Sequence, residues 1–425
     1  MSGQGLTRRL VLAGMGAALA APALRAQGAR HRILVVGGGF GGATAARYLL
    51  KRDPMLEVTL VEPLQTYVTC PFSNLYLGGL RDWASLSHGF DDLRRLGVRV
   101  VHDRVQAIDA GQRQAVLSDG TRIGWDRLIV SPGIDIRWSA LEGYDEAAAE
   151  QAPHAWRAGP QTQLLQRQLA EMPDGGTFVM VIPEGAYRCP PGPYERASMV
   201  AHYFKTHKPA SKILLLDGKD KFSKQGLFQQ GWAALYGPMI EWVGLSGDGQ
   251  VVRVDAARKE VETAFGTIHR ADVLNVIPPQ QAGLIAAQAG VTDASGWAPV
   301  KGGSFASALV EGVHVLGDAT IASPMPKSGF AANTQAKVAV AAILAELAGQ
   351  PLPQASYANT CYSLIGPGYG ISVAGVYRAE GDAIVEIPDS GGVSPMDAPA
   401  AFREAEARYG EGWYASICRD IWGTA

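Results

Sequence analysis

HRILVVGGGFGG, His31 to Gly42, is a short apolar run rich in β-branched residues that breaks into a glycine turn. Its spacing is Gly37-x-Gly39-x-x-Gly42. The first glycine permits a tight turn, the second lets backbone approach a pyrophosphate, and the third lets a helix pack close to the strand. ATAARYLLKRD follows with helical spacing, and Pro54 comes just after it. EVTLVEP is a second strand that closes on Glu62, near the place of a ribose-binding acid. The free N–H groups and partial positive charge of the helix N-terminus would face the phosphates. A strand-turn-helix-strand-acid unit of this kind binds a dinucleotide. It does not by itself separate FAD from NAD.

Working outward, the same alternation recurs. DRLIVSPG, GTFVMVIPEG, SKILLLDG and VHVLGDA read as strands, while YERASMVAHYFKTH and NTQAKVAVAAILAELAG read as helices. The pattern predicts an α/β chain with two doubly wound, Rossmann-like units of the FAD/NAD(P) type and a separate α+β tail. VHVLGDA resembles the flavoprotein motif whose aspartate, here Asp318, holds the ribityl and phosphate part of FAD. IVSPG, ending at Gly133, resembles the companion turn of that superfamily. These signals lie on both sides of the second unit, so that unit is inserted into the first. The expected division is an FAD-binding domain at 30–142 and 276–355, a degenerate NAD-like domain at 143–275, and a C-terminal interface domain at 356–425.

The chain has 425 residues, 47% of them hydrophobic, enough for a large core and roughly three domains by length. A formal net charge of −2 gives no electrostatic reason to expect a nucleic-acid partner. Residues 1–26 differ from the rest. Arg8-Arg9 precedes the small apolar run AGMGAALAAPAL, which reads as a twin-arginine export signal cleaved after Ala26 and places the mature protein in the periplasm. That run is shorter than the ~20 apolar residues a membrane span needs. No later segment is long and apolar enough, so no integral membrane segment is expected in the mature chain.

The second unit departs from a working nucleotide site. After GTFVMVI comes Pro183-Glu184-Gly185-Ala186-Tyr187-Arg188-Cys189, with no glycine fingerprint. Pro183 removes a backbone donor and Glu184 puts negative charge where a phosphate would sit. Asp217 still ends the next strand as a ribose-binding acid would. NADH is therefore not expected to be the electron source.

Four cysteines, Cys70, Cys189, Cys361 and Cys418, remain in the mature chain. None forms a C-x-x-C pair, which excludes a zinc ribbon, a thioredoxin-type dithiol and a haem attachment on this chain; no metal site is expected. Spacing alone leaves three possible full pairings open. Cys418, among Trp413, Tyr414, Ile417 and Ile421, reads as a buried residue of the tail.

Long motifs then carry a resemblance. YVTCPFSNLYLGG, YRCPPGPYERAS, DGKDKFSKQGLF, GDATIASPMPKSGFAANTQAK and NTCYSLIGPGYGISVAGVYR make the chain similar to the flavoprotein subunit of flavocytochrome c sulfide dehydrogenase, within the pyridine nucleotide:disulfide oxidoreductase superfamily. The resemblance implies FAD bound covalently through Cys70, whose ordinary reading is a free buried thiol; Pro71-Phe72 departs from the family pattern. It also implies a redox-active disulfide between Cys189 and Cys361, against the plainer reading of a stabilising bridge. Arg188 would favour a thiolate or be a solvated charge. Glu195 matches the acid near the disulfide, and would otherwise complement a helix dipole. Lys327 would hold negative charge on the reduced flavin, or lie on the surface.

The activity so implied is periplasmic oxidation of sulfide. Hydrosulfide opens the disulfide to a persulfide and a thiolate, the thiolate adds to the flavin or transfers charge to it, and electrons leave to a c-type cytochrome subunit. A sulfide:quinone oxidoreductase is the alternative on the same scaffold. The tail, PAAFREAEARYGEGWYASICRDIWGTA, is too mixed in charge for a pair of membrane-anchoring helices. A flavin-binding electron carrier without chemistry of its own would have no need of Cys189 and Cys361.

Overall fold

The computed structural model describes residues 31–423. The export signal expected at 1–26 lies outside them. The glycine turn sits where the sequence predicts it, between β1 (Arg32–Val36) and α1 (Phe40–Arg52), with β2 (Glu57–Val61) following. A five-residue helix, α2 (Ser73–Leu77), and two further strands, β3 (Arg99–Val101) and β4 (Arg127–Val130), complete the first pass. The chain then leaves for a second sheet made of β5 (Thr177–Ile182), β6 (Lys212–Asp217), β7 (Ile240–Val243) and β8 (Val273–Val276). Helix α3 (Gly192–His207) links β5 to β6, and α4 (Gln225–Tyr236) links β6 to β7. Strand β9 (Val313–Val315) returns to the first sheet and runs through the Asp318 turn into α5 (Gly329–Leu347).

Both sheets are parallel, in the orders β9-β4-β1-β2-β3 and β7-β6-β5-β8. In the first, Ile33 of the central strand pairs with Val58 on one side and Arg127 on the other. Strands covered on both faces need continuous apolar runs, which is how ILVV and FVMVI read. The crossovers put the turn after β1 and the loop after β5 at the carboxyl ends of their sheets, where ligands of open α/β sheets bind.

Two antiparallel meanders, at 105–124 and 251–270, were not predicted. The tail is α+β: a long hairpin of β10 (Ser356–Gly366) and β11 (Tyr369–Glu380), then α6 (Ala400–Trp422). Helix α6 buries Tyr414, Ile417, Cys418, Ile421 and Trp422 in the core that also holds Phe40 and Leu49 of α1. Cys418 is thus a core residue, as its neighbours suggested. Among the described residues no helix is long and apolar enough to cross a membrane.

Candidate active site

The cleft at the end of β1 is shaped for a dinucleotide. Gly37 has φ +99°, and a Cβ there would lie 2.3 Å from the Ser131 carbonyl oxygen. At Gly42 a Cβ would come within 1.9 Å of the Gly37 carbonyl oxygen, so helix and turn can meet only at glycine. Gly39 precedes α1 and no side chain caps it, which leaves first-turn N–H groups for an anion. Glu62 is fixed beside the turn by N–H donors from Gly38 (2.7 Å) and Leu64 (3.0 Å). Gly133 has φ +67° and turns the chain after β4 toward the same cleft. Asp318 follows β9, with Oδ2 3.2 Å from Arg188 Nε and Oδ1 buried without a hydrogen-bond partner. A buried carboxylate oxygen without a donor suits the hydroxyls of a ribityl chain, so these residues fit FAD.

Arg188 is neither a surface charge nor primarily a partner of Cys189. Its Nη1 donates to the Cys70 sulfur at 2.9 Å while its Nε faces Asp318. Burial alone would lower its pKa, but Cys70, Asp318 and Tyr67 outweigh it and raise it. The Ala158 N–H also points at Cys70 Sγ, at 3.4 Å. Lys327 is not on the surface either. Its ammonium donates to the carbonyls of Asp318 (2.9 Å) and Thr320 (2.6 Å) and lies 3.8 Å over the Trp297 ring. Burial lowers its pKa to about 8. The Lys327 carbonyl accepts from the Cys189 N–H at 2.9 Å, tying the Asp318 turn to the cysteine loop.

Cys70, Cys189, Cys361 and Glu195 line one open-mouthed cavity, together with Trp156 and Trp413. Three elements converge on it: the stretch before α2, the loop before α3, and β10. The Cys189 sulfur lies over the start of α3, where a Cβ on Gly192 would stand 3.1 Å from it. All four cysteines are free thiols in this structure, so the bridge implied for Cys189 and Cys361 is not formed here. Burial pushes both thiols up; Glu195 adds to the rise at Cys189, while Lys224 and Asn359 oppose it at Cys361. Burial likewise raises the Glu195 carboxyl, against the pull of Lys224 and Ser363.

Sequence reasoning missed Lys224, Ser363 and Arg196. Lys224 Nζ donates to the Cys361 carbonyl and to Ser363 Oγ, and Ser363 donates to Glu195 Oε1. Alternation along a strand could have found Ser363, since residues two apart share a face and it follows Cys361 by two. Arg196 has no such signal. Its guanidinium is buried against the carbonyls of His154 and Ala155 and the amides of Asn74 and Asn275.

The second nucleotide position is closed. Asp217, fully buried, accepts from Tyr194 (2.6 Å), Lys219 (2.7 Å) and Trp242 (3.0 Å). The loop after β5 folds onto the end of β6, so that a Cβ on Gly218 would meet the Glu184 nitrogen at 2.9 Å. Neither the acid nor the loop is available to a ribose or a pyrophosphate.

Comparison with known proteins agrees with this arrangement. Residues 162–278 match the family model for the central part of the sulfide dehydrogenase [flavocytochrome c] flavoprotein chain, and 353–422 match the flavocytochrome c sulphide dehydrogenase flavin-binding model. Residues 31–182 match the pyridine nucleotide-disulphide oxidoreductase model. Over 43 residues the chain is 67% identical to the flavoprotein chain of the Chlorobaculum thiosulfatiphilum enzyme, covering 10% of this chain and 90% of that sequence. The chain belongs to the flavocytochrome c sulfide dehydrogenase flavoprotein family. It is a flavoprotein of oxidoreductase type with the α/β fold described above. The mitochondrial sulfide:quinone oxidoreductase of Dictyostelium discoideum is 22% identical over 331 residues, covering 76% of this chain and 72% of that one. Among solved structures, the sulfide:quinone oxidoreductase of Aquifex aeolicus superposes with a TM-score of 0.68 at 16% identity, covering 93% of both chains. Putidaredoxin reductase, in its covalent complex with putidaredoxin, gives 0.65 at 16% identity, covering 93% of this chain and 99% of that one. At these identities both share the fold.

Proposed function

We propose that this chain is a periplasmic sulfide dehydrogenase flavoprotein that oxidises sulfide through Cys189, Cys361 and FAD and passes electrons to a c-type cytochrome subunit. The observation that carries the reading is the convergence of Cys189, Cys361 and Glu195 on one cavity beside the Asp318 turn. Gly37, Gly39, Gly42, Glu62, Gly133 and Asp318 would hold FAD, with Cys70 as its covalent anchor and Lys327 bracing the Asp318 turn. The cofactor supplies a two-electron sink that can be emptied one electron at a time.

The chain's own groups handle the sulfur and the proton. Glu195 takes a proton from hydrogen sulfide. The hydrosulfide forms a bond to one sulfur of the oxidised Cys189–Cys361 pair as the S–S bond breaks, leaving a persulfide and a thiolate; FAD held by the glycine turn and Asp318 would be the acceptor for the two electrons. The occupied Asp217 carboxylate argues against NADH as an alternative donor. The Arg8-Arg9 leader supports export, and the family's flavocytochrome name supports a cytochrome partner. Likeness to sulfide:quinone oxidoreductases favours a second reading in which quinone is the acceptor.

One anaerobic titration tests both. Sulfide should bleach the flavin, and replacing Cys189 or Cys361 by serine should abolish the bleaching. Cytochrome c should then restore the oxidised spectrum faster than a soluble quinone. The reverse order of acceptors would establish the quinone reading, and undiminished bleaching in either serine variant would sink the cysteine mechanism.

A further inference from the structure

Beneath the sulfur cavity lies a cation that the steps above do not use. Lys224 occupies the position before α4 with φ +61°, a left-handed conformation that side chains other than glycine rarely adopt. It is 9% exposed, and its charge stands at a helix N-terminus, where the macrodipole opposes a cation. Left-handed backbone, buried ammonium and unfavourable dipole each cost on the order of 1 kcal/mol or more. Something in the surroundings must offset them.

Its contacts show what does. Lys224 Nζ donates to the Cys361 carbonyl at 2.9 Å and to Ser363 Oγ at 2.6 Å, and the Ser363 hydroxyl in turn donates to Glu195 Oε1 at 2.5 Å. The ionisable groups that face it are Glu195 from α3, Cys361 from β10, Cys189 from the loop before α3 and, more remotely, Glu406 from α6. Glu406 is already engaged by the hydroxyls of Ser372 and Ser394, at 2.6 Å each. That leaves Glu195 and the two sulfurs as the charges Lys224 can balance.

We propose that Lys224 is the fixed counter-charge of the sulfur site, and that the negative charge it faces migrates from Glu195 to a cysteine thiolate when sulfide reacts. The inference rests on Cys189 and Cys361 being the reacting pair. Hydrogen sulfide enters neutral and leaves its proton on the Glu195 carboxylate. Hydrosulfide then bonds to one cysteine sulfur, the S–S bond breaks, and its electron pair stays on the other sulfur as thiolate. One carboxylate has become one thiolate, so the net charge beside Lys224 is unchanged. Separating a new, unpaired charge in so buried a site would be far more costly than moving an existing one. Ser363 links the two ends, accepting from Lys224 while it donates to Glu195. Lys224 is thus a positioning residue, acting through Ser363 and the field it sets.

The test reads the thiolate directly, without sulfide. Holoenzyme reduced with a phosphine is alkylated with iodoacetamide across pH, and labelling of Cys189 and Cys361 is followed by peptide mass spectrometry, since the rate follows the thiolate fraction. Lys224→Gln removes the charge and retains two N–H donors on a side chain one bond shorter. Its alkylation midpoint should rise by about one pH unit or more, an about tenfold fall in rate near neutrality. Lys224→Arg keeps the charge and should stay within about half a unit of wild type. A Lys224→Gln profile that overlays wild type, or a Lys224→Arg profile shifted as far as that of Lys224→Gln, overturns the counter-charge. Ser363→Ala provides a second reading should the lysine variants fold poorly: sulfide bleaching should slow about tenfold with the alkylation profile unmoved, and unchanged bleaching refutes the link to Glu195. Wild-type protein that sulfide fails to bleach, beside a shifted Lys224→Gln profile, would overturn the sulfide reading and leave the counter-charge intact.

Discussion

Arg188 Nη1 donates to Cys70 Sγ at 2.9 Å, and the same guanidinium faces Asp318 through Nε. One buried cation therefore couples the sulfur proposed to anchor the flavin to the acid proposed to hold its ribityl chain. The guanidinium and the Ala158 N–H, 3.4 Å from the sulfur, fix Cys70 Sγ in one position beside that acid. Protein denatured in acid should retain flavin fluorescence on the polypeptide in a gel, Cys70→Ser should lose it entirely, and Arg188→Met should lower it several-fold. Arg188→Met should also reduce stability by about 3 kcal/mol, because it leaves the Asp318 carboxylate buried and unpaired. Full release of flavin from wild-type protein would refute the covalent link.

The Asp217 carboxylate, with three side-chain donors and no exposure, leads to a second prediction. NADH and NADPH, added without oxygen at millimolar concentration, should leave the flavin spectrum unchanged. Freeing the acid should not rescue the site. Tyr194→Phe removes one donor, yet Glu184 and the loop after β5 still occupy the phosphate position, so this variant should remain unreactive too. Bleaching of either protein by a nicotinamide would show that the loop opens.

The glycine turn and Gly133 were legible because backbone geometry dictates them, whereas Glu62 and Asp318 were legible as acids just after strands. A turn that must pass 2.3 Å from a carbonyl where a Cβ would stand admits only glycine, and that constraint is written in one residue type at fixed spacing. Asp217 was legible as a strand-end acid, though not as an acid already saturated. Lys224 escaped notice, and the burial of Arg188 and Lys327 could not be read from the sequence, for a common reason. A lysine or arginine in a loop is ordinarily solvated, and only tertiary packing turns it into a buried cation with one sulfur or two carbonyls as partners. The meanders at 105–124 and 251–270 escaped because their strands are short and polar on one face, so their alternation spans too few residues to stand out.

His154 yields a pH prediction whose sign is fixed by burial. Desolvation, then the charges of Arg196 and Arg188, lower its pKa to about 4, and its Nδ1 accepts from the Trp156 N–H at 2.9 Å. In the unfolded chain the group titrates at its ordinary 6.5, so below that pH the unfolded state binds a proton that the folded state refuses. Its contribution is therefore intact above pH 6.5 and lost as pH falls toward about 4. His88, also lowered to about 4 chiefly by burial, acts in the same window. Thermal melts should show stability falling through this range by up to roughly 3 kcal/mol per histidine. His154→Asn, which keeps an acceptor for Trp156, should remove its share of that slope, with His88, His202 and His314, all lowered chiefly by burial, carrying the rest. A wild-type stability flat between pH 4 and 7 would contradict the assignment.

Arg196 provides the sharpest test of how the site is held together. Its guanidinium donates to Ala155 O (2.6 Å), His154 O (2.9 Å), Asn275 Oδ1 (3.0 Å) and Asn74 Oδ1 (3.2 Å), and its plane stacks 4.9 Å from the Trp156 ring. These partners come from the segment linking the two sheets, from β8, and from α2 beside Cys70. None is a carboxylate, and burial lowers the Arg196 pKa to about 10, so geometry rather than charge pairing keeps the group in place. Arg196→Met would strand three acceptors, the His154 carbonyl keeping the Asn275 amide at 3.1 Å, each worth about 1 kcal/mol or more when left unsatisfied, for a loss of roughly 3 kcal/mol. Arg196→Lys should rescue less than half of it, because an ammonium cannot reproduce a planar fork directed at four acceptors. Denaturant melts give the stability. Because α2 and the His154–Trp156 segment flank the cavity, both variants, once reduced with a phosphine, should also label Cys189 and Cys361 with iodoacetamide faster than wild type. A lysine variant as stable as wild type would reduce Arg196 to a simple buried charge.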